Sequence, residues 1–248
     1  MNNKISTKYK ANNLESSNTI LNVEEETLKP VFISQEKNYA NKHGFHYRSS
    51  AQFYFEINKK SNINTSLILF NYFQIKNQNK VAICVTLRNN KGDFIDRRHI
   101  DFTNSNVIII NREFWGIDNH YGSVEVEYFS LSNLVIPYAA VIGVYETSLG
   151  ISYIHTYSRC YSIHEMETGF TVMDSCESNW TIRDSNNVES FTVIHNGFLK
   201  VDEQTIKIKI TTESGRNLEV DHKLKALNPY EIFEVVPQAI FENLASWL

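Results

Sequence analysis

"TSLILFNYFQIKNQNKVAICVTLRNNKGDFIDRRHIDFTNSNVIIINREF", residues Thr65–Phe114, is the stretch on which the fold reading turns. Short runs of β-branched and aromatic residues alternate with turns marked by Asn and Gly, and no helical period is sustained. A second stretch, "ESFTVIHNGFLKVDEQTIKIKITTESGRNLEVDHKLKALNPYEIFEVVPQ" (Glu189–Gln238), lies over the first almost without gaps. Asn71 falls on Asn196, Val81 on Ile206, Phe102 on Leu227 and Ile110 on Val235. Both copies read as strand, Asn turn, alternating strand, a turn with Gly92 or Gly215, alternating strand, Asn turn and apolar strand. Such self-similarity points to an internal duplication. One antiparallel sheet leaves an apolar face uncovered, and a second sheet stacked on it covers that face. The expected fold is therefore all-β, with two tandem antiparallel β-sandwich repeats at residues 51–160 and 161–248.

Working outward, residues 1–50 are rich in Asn, Ser, Lys and Glu without a sustained period, which predicts a polar N-terminal arm or linker. At the other end, "PQAIFENLASWL" places Pro237 at a helix start. Ile240, Phe241, Leu244, Trp247 and Leu248 then form one apolar stripe. That short amphipathic helix either caps its own sandwich or docks on another subunit of a homo-oligomer.

The bulk numbers narrow the function classes. With 24 Lys and Arg against 28 Asp and Glu, and no basic stripe, the chain lacks the signature of a nucleic-acid backbone binder. The first twenty residues hold no apolar core of a secretory signal, so none is expected. No apolar run reaches membrane-span length, and "LVIPYAAVIGVY" (Leu134–Tyr145) with Pro137 suits a buried strand. A cytoplasmic or virion-associated protein is the expectation. Of three cysteines, Cys84 in "VAICVTL" reads as a buried small hydrophobe. Cys160 and Cys176 could pair, though nothing in the sequence requires it.

Candidate sites are of two kinds. On "SYIHTYSR" the period of a strand puts Tyr153, His155, Tyr157 and Arg159 on one face, a flat surface for a polar ligand or another subunit. The competing reading has half-buried tyrosines with Arg159 reaching to solvent. In "DSCESNWTIRDSNN", Trp180 beside Glu177 and Arg183 could hold a sugar, the indole covering its apolar face and the charged groups taking its hydroxyls. An isolated Trp in a sandwich more commonly anchors the core. "REFWGIDNHYGS", with Trp115, His120 and Tyr121, offers the same choice. "SIHEMETG" lacks the second His of a zinc-protease motif; His155, His164 and Glu167 make a conceivable metal or enzyme cluster across a hairpin, but their spacing is not diagnostic, and no metal or cofactor is expected. Neither a nucleophile elbow nor a phosphate-cradling Gly loop is present. Glu125 and Glu127 alternate with Val124 and Val126 and read as the wet face of a strand.

"GSVEVEYFSLSNLVIPYAAVIGVYETSLGISYIHTYSR" resembles the end of sensory-rhodopsin-transducer-like β-sandwich proteins in its strand, Asn-marked turn, apolar strand and His-Thr-x-x-Arg-like close at His155, Thr156 and Arg159. The resemblance spans about a quarter of the chain. It implies a sandwich with a binding or coupling role and no enzyme. The sequence reading is a non-enzymatic protein that binds a protein partner or a glycan through His155, Tyr157, Arg159, Glu177, Trp180 and Arg183. Alternatives are a structural subunit of a virion or other assembly, and an enzyme with a site around His155, His164 and Glu167.

Overall fold

A computed structural model describes residues 46–60, 62–100, 102, 105–130, 140–155, 158–160, 190–197 and 200–241. These fall into two compact units, the first within Met1–Asn89 and Phe94–Val172, the second within Asn90–Asp93 and Met173–Leu248. The expected polar arm, apart from its last five residues, lies outside the described residues. Those five already belong to a strand.

The first unit is antiparallel β throughout. Its strands are β1 (His46–Asn58), β2 (Ile63–Phe70), β3 (Val81–Asn89), β4 (Phe94–Ile100), β5 (Val107–Ile110), β6 (Asn119–Ser130), β7 (Val141–Thr147), β8 (Gly150–Ile154) and β9 (Ser158–Cys160). They run in the order β4-β3-β6-β1-β2-β7-β8, with β5 also on β2 and β9 also on β1. β1 and β2 meet only where Ile57 and Asn58 face Asn64 and Ile63. Past that corner β2 leaves β1 and pairs with β5 on one side and β7 on the other. The sheet thus divides into a β4-β3-β6-β1 half and a β5-β2-β7-β8 half. Their alternate residues meet in one core, including Phe53 and Phe55 from β1, Leu67 and Leu69 from β2, Val85 from β3 and Val126 from β6. Period-two alternation produces this arrangement, since every second side chain of each strand points at the other half.

Two short helices close the ends of the unit. The first, α1, is Tyr72–Asn77. The second, α2, is Arg112–Trp115, and the Asn111 side chain caps it by accepting from the Phe114 N–H at 2.9 Å. Trp115 is buried in the shared core, so "REFWGIDNHYGS" anchors the sandwich and does not form an open aromatic loop. Arg98 holds α2 in place by donating to the carbonyls of Phe114 and Trp115, and its guanidinium lies 5.0 and 5.1 Å from their ring centres.

In the second unit β10 (Thr192–His195) pairs with β13 (Ile232–Val235), and β11 (Gln204–Thr211) pairs with β12 (Asn217–Leu224). Ile208, Ile210, Val235 and Phe241 form its own core. Pro237 begins α3 (Pro237–Ile240), as its fixed backbone favours, and Ile240 and Phe241 pack on that core. The rest of the expected C-terminal stripe lies outside the described residues. Gly92 sits in this unit at φ +84, where a β-carbon would come 2.0 Å from the Pro229 carbonyl, so no other residue fits.

The registers of the two units correspond. Leu67 faces Ile110 and Phe70 faces Val107; Thr192 faces Val235 and His195 faces Ile232. The Asn71 N–H donates to the Asn106 carbonyl at 3.0 Å, and the Asn196 N–H to the Glu231 carbonyl at 2.9 Å. The four-residue helices α2 and α3 follow the matching strands. The central hairpin differs, because β11 pairs with β12 in a shifted register, and no helix matching α1 follows Asn196 among the described residues.

Candidate functional site

The outer faces of the two halves differ in polarity and exposure, and the apolar one is the candidate site. On the β5-β2-β7-β8 half, residues whose neighbours enter the core form an outer face in rungs. Val107 lies beside Phe70; Ile109 beside Ile68 and Ile68 beside Ile142; Ser66 beside Val144 and Val144 beside Tyr153. Asn64, Glu146 and Ile151 make the last rung, where the Asn64 amide donates to Glu146 at 2.9 Å. This face is apolar and open at its margins: Ile109 is 51 %, Ile151 56 % and Tyr153 68 % exposed. Leu149, at the tip of the β7–β8 hairpin, is exposed as well. Isolated exposed apolar residues are ordinary, but exposed ones at both margins, joined by half-buried Phe70, Ile68 and Ile142, mark an interaction surface.

β8 ends this face. It pairs only with β7 among the described residues, through a two-residue loop at Ser148 and Leu149. Thr147 and Gly150 close that hairpin as a hydrogen-bonded pair, so Gly150, Ser152 and Ile154 turn their backbone groups toward β7. Ile151 and Tyr153 turn theirs outward. The strand carries no charge, no Lys and no Pro, the usual protections of an exposed edge.

The β4-β3-β6-β1 half presents the opposite case. Its outer face is polar yet buried, except at the β4 margin, where His99 is exposed. His99, Cys84, Glu127 and Ser50 form one rung, and Arg97, Thr86, Glu125 and Gln52 the next. Glu125 and Glu127 are each 2 % exposed, which corrects the wet-face reading of "SVEVEYF". Arg88 pairs with Glu125 at 2.8 Å, Arg97 pairs with Glu127, and the Gln52 amide donates to Ser123 at 2.8 Å. Polar groups removed from water, ionised or protonated, require such partners. Burial pushes the Glu127 carboxyl up to about 8; Arg97 pulls it back and Glu125 adds to the rise.

Cys84 belongs to this layer, with its Sγ 2.9 Å from Nδ1 of His99. A thiol beside an imidazole is the geometry of a nucleophile, but a nucleophile needs a lowered pKa. Here burial first, then Glu127 and Glu125, raise the thiol well above its ordinary value. The arrangement fits an inert buried thiol.

Of the residues chosen from the sequence, the described structure reaches few. The run "SYIHTYSR" is not one strand: β8 ends at Ile154, and Ser158–Cys160 pair instead with Ser50–Gln52 of β1. The shared face that a continuous strand would give Tyr153, His155, Tyr157 and Arg159 is therefore broken. His155 is exposed just past β8, and the backbone of Arg159 faces Ala51. Tyr157, His164, Glu167, Glu177, Trp180 and Arg183 lie outside the described residues. Among the described residues no group of three or more His, Cys, Asp or Glu could hold a metal ion, and no helix is long and apolar enough to cross a membrane. The sequence reading missed the outer face of Ile68, Ile109 and Ile142. Its signal was only the continuous apolar runs "SLILF", "VIII" and "AVIGV", which read equally well as strands buried on both sides. No protein-family model, curated protein or solved structure matches the chain.

Proposed function

We propose that this is a non-enzymatic binding protein that recognises a protein partner through the outer face of its β5-β2-β7-β8 half. The observation that carries the reading is a set of apolar rungs, exposed at Val107, Ile109, Ile151 and Tyr153 and half-buried at Phe70, Ile68 and Ile142 between them. Leaving such a face in water forgoes about 25 cal/mol for each Å² that a partner would cover. The second unit is read as a repeat of the Thr65–Phe114 portion, which makes the chain a tandem of two β-sandwich modules. Matching registers at Leu67–Ile110 and Thr192–Val235 support that reading, as do the matching Asn71 and Asn196 hydrogen bonds.

The test is cross-linking mass spectrometry on the full chain in native extract, comparing wild type with Ile109→Lys. A partner linked around β2, β5 and β7 in the wild type and lost in the variant is the expected result. A partner retained by Ile109→Lys overturns the assignment to this face. Binding on a glycan array that survives Ile109→Lys but is lost in Trp180→Ala would give the protein a glycan ligand instead.

A further inference from the structure

We infer that β8 is a self-pairing edge: two copies of this chain join through antiparallel β8–β8 contact centred on Ser152, making one outer face continuous across the pair. The inference rests on the proposed binding role of that face and names a second copy as the occupant of its edge.

The register follows from the hairpin. Only Ile151 and Tyr153 turn both backbone groups to the open side of β8. A twofold axis beside Ser152 sets Ile151 of one copy opposite Tyr153 of the other, twice, and each such pair exchanges two backbone hydrogen bonds. Axes centred on Ile151 or on Tyr153 provide only one such pair within the strand. The chosen register also has the better side-chain match. On the outer face it brings Ile151 and Tyr153 of both copies together, cross-strand pairs of β-branched and aromatic residues flanked by Val144. On the other face it sets Ser152 against Ser152, and Gly150 against Ile154.

Charge selects a second copy as the occupant. Twofold pairing sets like side chains against like, which penalises any edge carrying charges. β8, from Gly150 to Ile154, carries none. In the second unit the edge strand β11 has exposed Lys207 and Lys209, the common protection against such pairing. A five-residue contact is small, and interfaces under about 1,200 Å² are usually transient, so the dimer should be weak and concentration-dependent.

The experiment uses Ser152→Cys in the full chain under mild oxidation, with Ser214→Cys in the exposed β11–β12 turn as control. Non-hydrogen-bonded antiparallel pairs bring α-carbons to about 4.5 Å, within disulfide reach. Expected is a covalent dimer linked through position 152 of both chains for Ser152→Cys, with no matching product from Ser214→Cys. Wild-type protein in sedimentation equilibrium should show a concentration-dependent dimer, weakened about tenfold or more by Tyr153→Lys, which replaces the aromatic of each Ile151–Tyr153 cross-strand pair with a charge. A monomer at all concentrations without the position-152 link overturns the inference. So does a dimer that ignores Tyr153→Lys and lacks that link. Partner capture sensitive to Ile109→Lys reports on the binding face separately, so either idea can fail while the other stands.

Discussion

At the scale of single residues, sterics and charge pairing dictate what each position tolerates. Gly122 lies in β6 where a β-carbon would come 2.1 Å from the Arg88 carbonyl. Gly122→Ala should therefore destabilise the first unit by about 1–3 kcal/mol or more, measured by urea unfolding. Arg88 and Glu125 give a sharper contrast. Arg88→Met leaves a buried carboxylate without its cation and should cost about 3–5 kcal/mol. The double variant Arg88→Met with Glu125→Leu should recover most of that loss, because both charges are then gone. A double variant no better than the single would mean the pair does not act as a unit.

At the scale of elements, β2, β5 and β7 each turn one face to the core and one away from it, while β8 is exposed along its whole length. Core-facing and outward-facing positions of this half should therefore behave differently. Leu69 is fully buried, and Leu69→Ala should cost about 2–5 kcal/mol. Tyr153→Ser on exposed β8 should stay within about 0.5 kcal/mol of wild type under dilute, monomeric conditions. Thermal or urea unfolding of the two variants side by side checks both. Equal losses would indicate that the outer face is covered within one chain, and would remove the basis for a binding face there.

At the scale of the whole molecule, each unit keeps one histidine neutral. Burial lowers His120 to about 4 in the first unit and His195 to about 3 in the second, from an ordinary 6.5. Unfolding frees each to bind a proton below 6.5. The stability each contributes is thus full above that pH and is lost as pH falls toward the folded values. Glu127 has the opposite sign: it keeps its proton in the fold up to about 8, while the unfolded chain loses it near 4.5. Its contribution is full below 4.5 and fades as pH rises to about 8. Urea unfolding between pH 5 and 8 should therefore give His195→Asn a smaller loss toward acid than wild type, and Glu127→Gln a smaller loss toward base. A pH profile unchanged by either substitution would place those groups in water.

The sequence by itself determined the all-β character, because period-two alternation and Asn and Gly turns are local features of the chain. It also placed the start of α3 at Pro237, where the proline ring fixes the backbone. The tertiary structure alone decided which face of each strand meets water. "SVEVEYF" looks half wet, yet β3 and β1 flank it and its glutamates find Arg88 and Arg97 from strands distant in the chain. "VIII" and "AVIGV" are apolar on both faces, yet Val107 and Ile109 are exposed and Ile142 half-buried, while Val144 on the same outer face is buried. The break between Ile154 and Ser158 was equally hidden, since a strand's alternation continues in the sequence even where its hydrogen bonds pass to a different neighbour. Burial is a property of what lies across from a residue, and a one-dimensional pattern does not specify that neighbour.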